Sequence, residues 1–351
     1  MSNKLKVGVL FGGMSGEHDI SILSARSIIN ALDKTKYDVI PIAIRRDGAW
    51  LSQEESRRLL ETGDPEGDVG ASKSKQLLVS PRHLEVLSEV DVMFPALHGP
   101  HGEDGTVQGF LETLGLPYVG ARVLGSAVGM DKAVMKHLLS FHSLPVPEYR
   151  VFYKQDLKSG LKTLIGQVEE EIKYPCFVKP ANLGSSVGIS KVKSREDISE
   201  AVAEALRWDR KILVEEAIDA REIECGILGN DDPIASVPGE VLPSREFYDY
   251  YAKYHDNTTQ LIIPADLNSE MIAEVKRLAV KAFKALDCSG MARVDMFLSR
   301  STDKLYINEL NTIPGFTSVS MYPKLWEASG IAYPQLLDRL IDLALAMERG
   351  V

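Results

Sequence analysis

Two short stretches near the C-terminus place polar side chains at alternate positions of predicted strands. In ARVDMFL, Arg293 and Asp295 are two residues apart, and in YINELN the same spacing separates Glu309 from Asn311. Alternate residues of a strand share one face, so pairing of the two strands would bring all four side chains together. Carboxylate and amide oxygens suit Mg²⁺, and one carboxylate could bridge two ions. The alternative is a solvated face with surface ion pairs, which the apolar flanking residues disfavour.

A glycine- and serine-rich loop follows a predicted strand in FVKPANLGSSVGIS, residues 177–190. The strand delivers Lys179, and backbone N–H groups of such a loop can cradle phosphate oxygens while the lysine adds positive charge. The GxxxxGK[ST] pattern of a P-loop is absent, so the strand–loop–strand order predicts a hairpin lid over phosphates. The alternative is a flexible β-turn that binds nothing, and the neighbouring metal pattern favours the phosphate interpretation.

The segment ILVEEAIDAREIE, residues 212–224, ends a predicted strand on two acids and continues to Glu222 and Glu224. The backbone of a strand edge could bind an adenine, and a carboxylate nearby could accept hydrogen bonds from ribose hydroxyls. Taken alone, the segment favours a solvated acidic edge.

Two loops near the N-terminus follow predicted strands. LFGGMSGEHDIS, residues 10–21, lacks G-x-G-x-x-G, which disfavours a nicotinamide cofactor, but its glycines allow close ligand approach and Glu17 could hold an ammonium group. PALHGPHGEDG, residues 95–105, places His98 and His101 at a strand end, where α/β proteins bind ligands. Without a third soft ligand nearby, a ligand contact or a turn is favoured over a metal site.

The elements that must position these residues alternate between β-rich runs and helical patterns, which predicts an α/β architecture. KVGVLF followed by ISILSARSIINAL is the first such pair. We expect three units, over residues 1–121, 122–216 and 217–351. The third contains an irregular segment, 244–264, and segments of that length inside compact domains are usually functional.

The composition excludes several classes of protein. The 351 residues carry a formal net charge of −10, which disfavours nucleic acid and an anionic membrane surface as partners. Cys176, Cys225 and Cys288 are widely separated in apolar contexts and are expected to be reduced core thiols. The N-terminus has no signal-peptide pattern and no apolar run is long enough to span a bilayer, so we expect a cytoplasmic protein.

Together these motifs closely resemble the D-alanine–D-alanine ligases of the ATP-grasp superfamily. The segments that carry the resemblance occur in order from about residue 6 to 345: GGMSGEHDIS, ALHGPHGEDG, MDKAVMK, FVKPANLGSSVGIS, REIECGILG, FYDYYAKY, ARVDMFL and INELNTIPGFTSVS. The resemblance implies a three-domain ATP-grasp fold with an N-terminal Rossmann-like (pre-ATP-grasp) domain. It also implies a homodimer that makes D-alanyl-D-alanine for peptidoglycan precursors through an acyl phosphate.

The resemblance further implies ATP between the last two domains, with two Mg²⁺ (or Mn²⁺) ions. The implied nucleotide positions are Lys132, Lys179, Ser185, Ser186, Glu215, Ile218, Glu222, Lys253, Asn308 and Glu309. The lysines at 132 and 179 would meet phosphates, whereas Glu215 and the backbone near Ile218 would meet the adenine and Glu222 the ribose. The implied metal ligands are Asp295, Glu309 and Asn311, with Glu309 bridging.

Two D-alanine molecules are the implied partners of ATP. The implied substrate positions are Glu17, His98, Lys253, Arg293, Gly315, Ser320 and Met321, and the implied catalytic set is Glu17, Ser185, Tyr254 and Arg293. In that arrangement Glu17 binds the first ammonium group, and Arg293 with the Gly315 amide stabilises an oxyanion. Met321 stands where such ligases more often have leucine, but the two side chains are close in volume.

Two other functions compete with this interpretation. The nearer one is a ligase of the same fold that joins D-alanine to D-lactate or D-serine. The other is a nucleotide-binding regulator without turnover, against which the complete set Arg293, Asp295, Glu309 and Asn311 argues.

Tyr254 in DYYAKYHDN generates a prediction about acceptor choice. By resemblance its hydroxyl reaches Glu17 through Ser185 and holds the loop that presents Lys253. The amine of D-alanine is mostly protonated near neutral pH, whereas the hydroxyl of D-lactate is uncharged. Small electrostatic changes in the subsite can therefore reverse the preference between the two acceptors, because about 1.4 kcal/mol changes the relative affinity tenfold. We expect the unmodified protein to make the dipeptide at neutral pH and Tyr254→Phe to raise the share of D-alanyl-D-lactate. Competition assays with both acceptors at several pH values measure this, and an unchanged product ratio would contradict it.

Overall fold

The computed structural model describes residues 4–63, 79–158, 160–184, 187–242 and 260–348. Its strands are Leu5–Gly12 (β1), Tyr37–Ile44 (β2), Val92–Pro95 (β3), Tyr149–Tyr153 (β4), Cys176–Pro180 (β5), Ser190–Val192 (β6), Lys211–Glu216 (β7), Ala220–Leu228 (β8), Ile234–Ala235 (β9), Gly239–Leu242 (β10), Gln260–Ile262 (β11), Met291–Ser299 (β12) and Leu305–Asn311 (β13).

The helices alternate with these strands for most of the chain. They are His18–Ala31 (α1), Gln53–Thr62 (α2), Pro81–Leu87 (α3), Thr106–Thr113 (α4), Val123–Met130 (α5), Lys132–Phe141 (α6), Lys162–Gln167 (α7), Ile198–Trp208 (α8), Ser269–Ala285 (α9), Met321–Ala328 (α10) and Tyr333–Glu348 (α11), with a π-helical turn over Val168–Ile172 and a 3-10 turn at Arg195–Asp197.

Within the described residues the strands form three sheets. The first is parallel in the order β2–β1–β3, the second is antiparallel in the order β4–β7–β5–β6, and the third follows the order β11–β10–β8–β12–β13 with β9 beside β8. Together with the intervening helices they make the α/β architecture that the alternating sequence pattern predicts.

The first sheet carries the N-terminal loops of the site at its carboxyl edge. Val7 of β1 pairs with Val39 on one side and Val92 on the other, and both faces of this strand are apolar because helices cover them. α11 adds its buried leucines to the same core, so the C-terminal end of the chain returns to this unit. The loops 13–17 and 96–105 leave β1 and β3 at the edge where α/β sheets bind ligands.

The third sheet is backed by α9, whose buried residues recur at helical spacing. Val275, Leu278, Ala279 and Ala282 follow the i, i+3, i+4, i+7 pattern of one apolar face and pack into the core of β8 and β12. The helix begins where the side chain of Asn268 accepts a hydrogen bond from the Met271 N–H at 2.8 Å. This packing leaves the opposite face of the sheet for the site.

Helices α5 and α6 link the central unit to the third sheet. Val128, Met135 and Leu139 are buried in the core of the third sheet, although we expected these helices to belong to the unit 122–216. The same segment also contacts the second sheet, because the Lys132 N–H donates to the carbonyl of Ala181, just after β5, at 2.9 Å. The boundaries at residues 121 and 216 remain our proposal, and α6 contacts both sides of the second boundary.

The predicted irregular segment 244–264 falls mostly outside the described residues. Its part Gln260–Ile262 forms β11, antiparallel to β10 with Glu240 opposite Ile262, so the expectation of irregular structure is wrong for these residues. The free edge of β10 supplies the backbone partners that order them. None of the helices in the described ranges is both long and apolar enough to cross a membrane.

The three cysteines are buried free thiols, as their apolar contexts predict. Burial raises the pKa of Cys176 to about 11 and those of Cys225 and Cys288 to about 12, so little reactive thiolate forms near neutral pH. We expect slow modification of the native protein by a thiol-specific disulfide reagent at pH 8, and three equivalents in denaturant. Absorbance of the released chromophore measures both, and rapid reaction of any thiol in the native protein would contradict the packing described.

Candidate active site

Two adjoining cavities lie where the three sheets meet. The larger, about 490 Å³, is lined from the central and third sheets, and the smaller, about 100 Å³, is lined by the N-terminal loops and the end of the third sheet. Both are lined by Gly184, Glu224, Val241 and Glu309. A group bound in one cavity therefore lies next to a group bound in the other.

The floor shared by the cavities is the polar face of β12 and β13. The strands are antiparallel, with Arg293 opposite Asn311 and Asp295 opposite Glu309, so the register brings together the four side chains that their spacing predicts. β8 adds Glu224 directly opposite Asp295 on the other side of β12. Three carboxylates thus stand in a row across three strands.

A β-bulge in β13 is what turns this face toward the cavities. The register passes from Asp295 opposite Glu309 to Met296 opposite Ile307, which leaves Asn308 without a strand partner. Leu305 and Ile307 are buried, and without the extra residue Glu309 would point to the same buried side. The signal in the sequence is the apolar positions of LYINELN, which change from odd numbers at 305 and 307 to an even number at 310.

Cations hold the acids of this face. The guanidinium of Arg293 donates to both oxygens of Asp295 at 2.6 and 2.7 Å and lies 2.8 Å from Glu224. The amide of Asn311 donates to Asp295 at 2.9 Å. Such bidentate, charge-assisted contacts fix the orientations of the side chains. A catalytic site that stabilises developing charge on oxygen atoms needs donors held in place in this way.

The N-terminal end of α6 brings a lysine to the same place. Asp131 caps the helix by accepting from the N–H groups of Ala133 and Val134 at 3.1 Å. Lys132 then reaches Glu309 at 3.1 Å and donates to the Leu183 carbonyl at 2.9 Å. Its ammonium group lies between the acidic face and the loop predicted to cover phosphates.

A buried charge cluster lies behind the larger cavity. Glu215 is 0% exposed, and its carboxylate lies 2.6 Å from Lys179 and 2.7 Å from Lys136, which is 1% exposed. Burial disfavours the charged carboxylate, but the two ammonium groups outweigh burial and hold the pKa of Glu215 below its usual value. Lys179 lines the cavity, whereas Glu215 lies behind it and is not part of the lining.

The mouth of the larger cavity contains the remaining described nucleotide positions. Ile218 and Glu222 line it from the start of β8, and Asn308 lines it from the bulge. Phe177 and Met296 add apolar surface that a flat base could contact.

The smaller cavity is built on His98. This side chain is 5% exposed, its Nδ1 lies 3.6 Å from Glu103, and its Nε2 lies 3.3 Å from the Ser24 hydroxyl. Burial opposes protonation, but the negative charges of Glu103 and Glu17 outweigh it and raise the pKa of His98. His101 is exposed in the following turn, so the two histidines do not converge on one ligand.

The loop after β13 closes the smaller cavity from the other side. The Ser320 hydroxyl accepts from the Thr317 N–H at 3.0 Å, and a Cβ at position 315 would lie 2.7 Å from that hydroxyl oxygen. Only glycine therefore fits at Gly315 without displacing Ser320. Met321 lines the same cavity and packs on Val241.

The structure brings most of the predicted site residues to these two cavities. Ser185, Ser186, Lys253 and Tyr254 lie outside the described residues. Lys136 and Glu103 were not predicted as site residues, and Glu224 was predicted only as part of an acidic strand edge. Two of these had a signal, because Lys136 follows Lys132 by one helical turn and Glu103 lies inside the HGEDG motif.

Comparisons with known proteins identify the family. The family models described as the N-terminus and the C-terminus of D-ala D-ala ligase match residues 6–121 and 138–342. D-alanine–D-alanine ligase of Halothermothrix orenii is 52% identical over 343 residues, which cover 98% of this chain and 99% of the relative. The enzyme of that name from Caldicellulosiruptor bescii is 53% identical over 351 residues, covering 99% of this chain and 96% of the relative.

Two solved structures share the fold. The D-alanine–D-alanine ligase of Coxiella burnetii has a TM-score of 0.82 at 36% identity and covers 99% of this chain and 96% of its own. A D-Ala:D-Ser ligase of Enterococcus faecalis also has a TM-score of 0.82, at 34% identity, covering 97% of this chain and 100% of its own. The three sheets, the two cavities and these matches along nearly the whole sequence lead to one assignment: the chain belongs to the D-alanine–D-alanine ligase family of the ATP-grasp fold.

Proposed function

We propose that this protein joins two D-alanine molecules to D-alanyl-D-alanine and converts ATP to ADP and phosphate. The observation that carries the proposal is the meeting of two cavities on the face formed by Arg293, Asp295, Glu309 and Asn311. A nucleotide cavity and an amino-acid cavity that share a floor of oxygen ligands suit transfer of a phosphoryl group from one to the other.

The larger cavity takes ATP. Lys132 and Lys179 offer positive charge to its phosphates from α6 and β5, and the backbone beyond Glu216 offers hydrogen-bond groups to the adenine. Ile218 and Glu222 contact the base and the ribose. Ser185, Ser186 and Lys253 complete the phosphate side from the segments outside the described residues.

The donor set of the polar face fits a magnesium or manganese ion. Asp295 and Glu309 supply carboxylates from opposite positions of paired strands, and Asn311 supplies an amide, so the ligands are hard oxygens rather than thiols or imidazoles. No trio of His, Cys, Asp and Glu side chains in the described ranges is arranged as a metal site. Two bound ions would neutralise phosphate charge, with Glu309 shared between them.

The first half of the reaction makes the carboxylate of one D-alanine into an acyl phosphate. Glu17 and His98 line the smaller cavity. In the proposed binding mode Glu17 holds the ammonium group of this D-alanine, and the carboxylate of the D-alanine faces the shared floor. Arg293 and the Gly315 N–H then stabilise the oxygen that gains charge. Donors that are already in place cost no reorganisation when charge develops, which is why such groups provide most of the catalysis.

The second half joins the amine of the acceptor D-alanine to the activated carbonyl. Ser320, with Lys253, holds the acceptor's carboxylate, and Met321 limits the space for its side chain. Tyr254 and Ser185 lie outside the described residues, and we assign to them the connection to Glu17 that the resemblance implies. The fold alone does not choose the acceptor, because the D-Ala:D-Ser ligase neighbour has the same TM-score as the D-alanine–D-alanine ligase neighbour. The relatives at 52% and 53% identity favour D-alanine.

The cellular location and the assembly are part of the same proposal and follow the family resemblance. We place the protein in the cytoplasm, as a homodimer, where the dipeptide feeds peptidoglycan precursor synthesis. The direct test is phosphate release from Mg·ATP with and without D-alanine, together with chromatography of the product. Release that does not rise when D-alanine is added would refute the ligase, and a depsipeptide or D-alanyl-D-serine as the main product would change the acceptor.

Glu309→Gln tests the shared metal ligand. Because a bridging carboxylate cannot be replaced by adding more metal, we expect turnover to fall about 100-fold or more at every magnesium concentration. Mn²⁺ binding measured by electron paramagnetic resonance should weaken in parallel, which separates loss of the ion from loss of chemistry. Near-normal turnover, or activity restored by excess magnesium, would exclude the bridging role.

The matched control is Glu274→Gln, which removes one carboxylate charge from the exposed face of α9, where Glu274 pairs with Arg277. This variant should keep both turnover and Mn²⁺ affinity, since exposed pairs of this kind contribute little.

A further inference from the structure

Lys136 is a buried lysine that the reaction described above does not use. It lies on α6 one turn after Lys132, so both side chains leave the same face of the helix. Unlike Lys132, it is 1% exposed and lines neither cavity of the site. A buried ammonium group is costly unless its partners compensate the charge, so its contacts indicate what it stabilises.

The contacts of Lys136 connect the second sheet with the third sheet, which together line the larger cavity. Its Nζ lies 2.7 Å from Glu215 of β7 in the central sheet and donates to the Asn308 carbonyl at 3.2 Å, in the bulge of β13. That carbonyl belongs to the residue without a strand partner, next to Glu309. The lysine therefore connects the buried carboxylate of Glu215 in the second sheet to the bulge at Asn308 in the third sheet, next to the proposed metal ligands.

The charges of this cluster do not cancel. With both lysines protonated, the three side chains carry two positive charges and one negative charge, which leaves one net positive charge. Burial lowers the pKa of Lys136 and so does the charge of Lys179, whereas Glu215 and Glu309 favour its protonated form. Without Lys136, the contact of 2.6 Å between Lys179 and Glu215 would be a neutral pair. Lys179 alone of the three lines the larger cavity, so the net charge is presented there.

We propose that Lys136 is a positioning residue for nucleotide phosphates, which compensates Glu215 so that the charge of Lys179 remains available to an anion in the larger cavity. This inference rests on the proposed function, because it takes the anion to be the phosphate chain of ATP. It gives Glu215 a role behind Lys179, in addition to the adenine contact that the family resemblance implies. The same lysine keeps the Asn308 carbonyl satisfied and thereby steadies the bulge.

The test compares ligands with and without phosphates. Binding of Mg·ADP and of adenosine to the full chain is measured by calorimetry for the unmodified protein and for Lys136→Met, which keeps most of the side-chain volume. The loss of compensation should weaken Mg·ADP binding by about tenfold or more while adenosine binding changes less than about threefold. A purely structural role would weaken both ligands together, and that result would overturn the proposal.

A double variant separates charge from packing. Lys136→Met combined with Glu215→Gln again leaves one positive charge on Lys179, so the ratio of the Mg·ADP and adenosine affinities should return toward that of the unmodified protein. Using the ratio removes any common effect of Glu215→Gln on adenine binding. The double variant also lacks the uncompensated carboxylate, so it remains measurable if Lys136→Met does not fold. A ratio that stays low in the folded double variant would overturn the proposal.

Lys211→Met is the matched control. Like Lys136, Lys211 is a buried lysine that contacts a carboxylate and lines neither cavity of the site, but its partner is Asp131 and not the Glu215 that pairs with Lys179. Lys211→Met should keep the ratio of the Mg·ADP and adenosine affinities. If this ratio falls as much as in Lys136→Met, the effect comes from losing any buried positive charge, and the proposal is overturned. If the unmodified chain binds neither ligand, the proposed function fails. If it binds both and the ratio is insensitive to Lys136→Met, this inference alone fails.

Discussion

The site depends on the register between β12 and β13, and that register depends on one extra residue. On β12 the cavity face is a regular alternation through Arg293 and Asp295, but β13 reaches the same face only because Asn308 is bulged. A sheet slipped by one residue would send Glu309 toward the core and Leu310 toward the ligand. The bulge interrupts the hydrogen-bond ladder between β12 and β13. This cost is offset because the Asn308 carbonyl accepts a hydrogen bond from Lys136.

Compensated burial of charge is the second theme of this site. One acid from each of β8, β12 and β13 contacts Arg293 or Lys132, and Glu215 contacts two lysines, so cations of the protein stabilise these four carboxylates. Breaking such a pair is expensive because it leaves a charge in a medium that solvates it poorly. The same poor solvation strengthens the attraction of each cation for an incoming phosphate. Stability and ligand affinity thus draw on the same side chains.

Much of this arrangement could be predicted from the sequence, because it is local or periodic. The i, i+2 spacing predicted which side chains of β12 share a face, and the alternation of β-rich runs with helical patterns predicted the α/β architecture. The bulge could not be predicted with the same rules, since its only signal is the change of apolar phase between Ile307 and Leu310. Lys136 escaped prediction because its partners, Glu215 and Asn308, are distant in sequence and meet it only through the packing of α6.

The segment that follows β13 leads from the proposed metal ligands to the residues proposed to bind the acceptor amino acid. β13 ends at Asn311, and the residues that follow lead without another element to Gly315 and Ser320, which approach so closely that a side chain at 315 would displace the Ser320 hydroxyl. This loop also packs on the N-terminal unit, because Ile313 and Phe316 are buried in the core of the first sheet and the Phe316 N–H donates to the Ser24 hydroxyl at 3.3 Å. Glu17 and His98, by contrast, come from loops of the first sheet. The donor subsite therefore lies on loops of the first sheet, and the acceptor subsite lies on a segment that runs from β13 into the core of that sheet, so the packing between the two units sets the distance between the two amino acids. α10 and α11 continue this packing, since Tyr322 and Trp326 of α10 and the buried leucines of α11 lie in the same core.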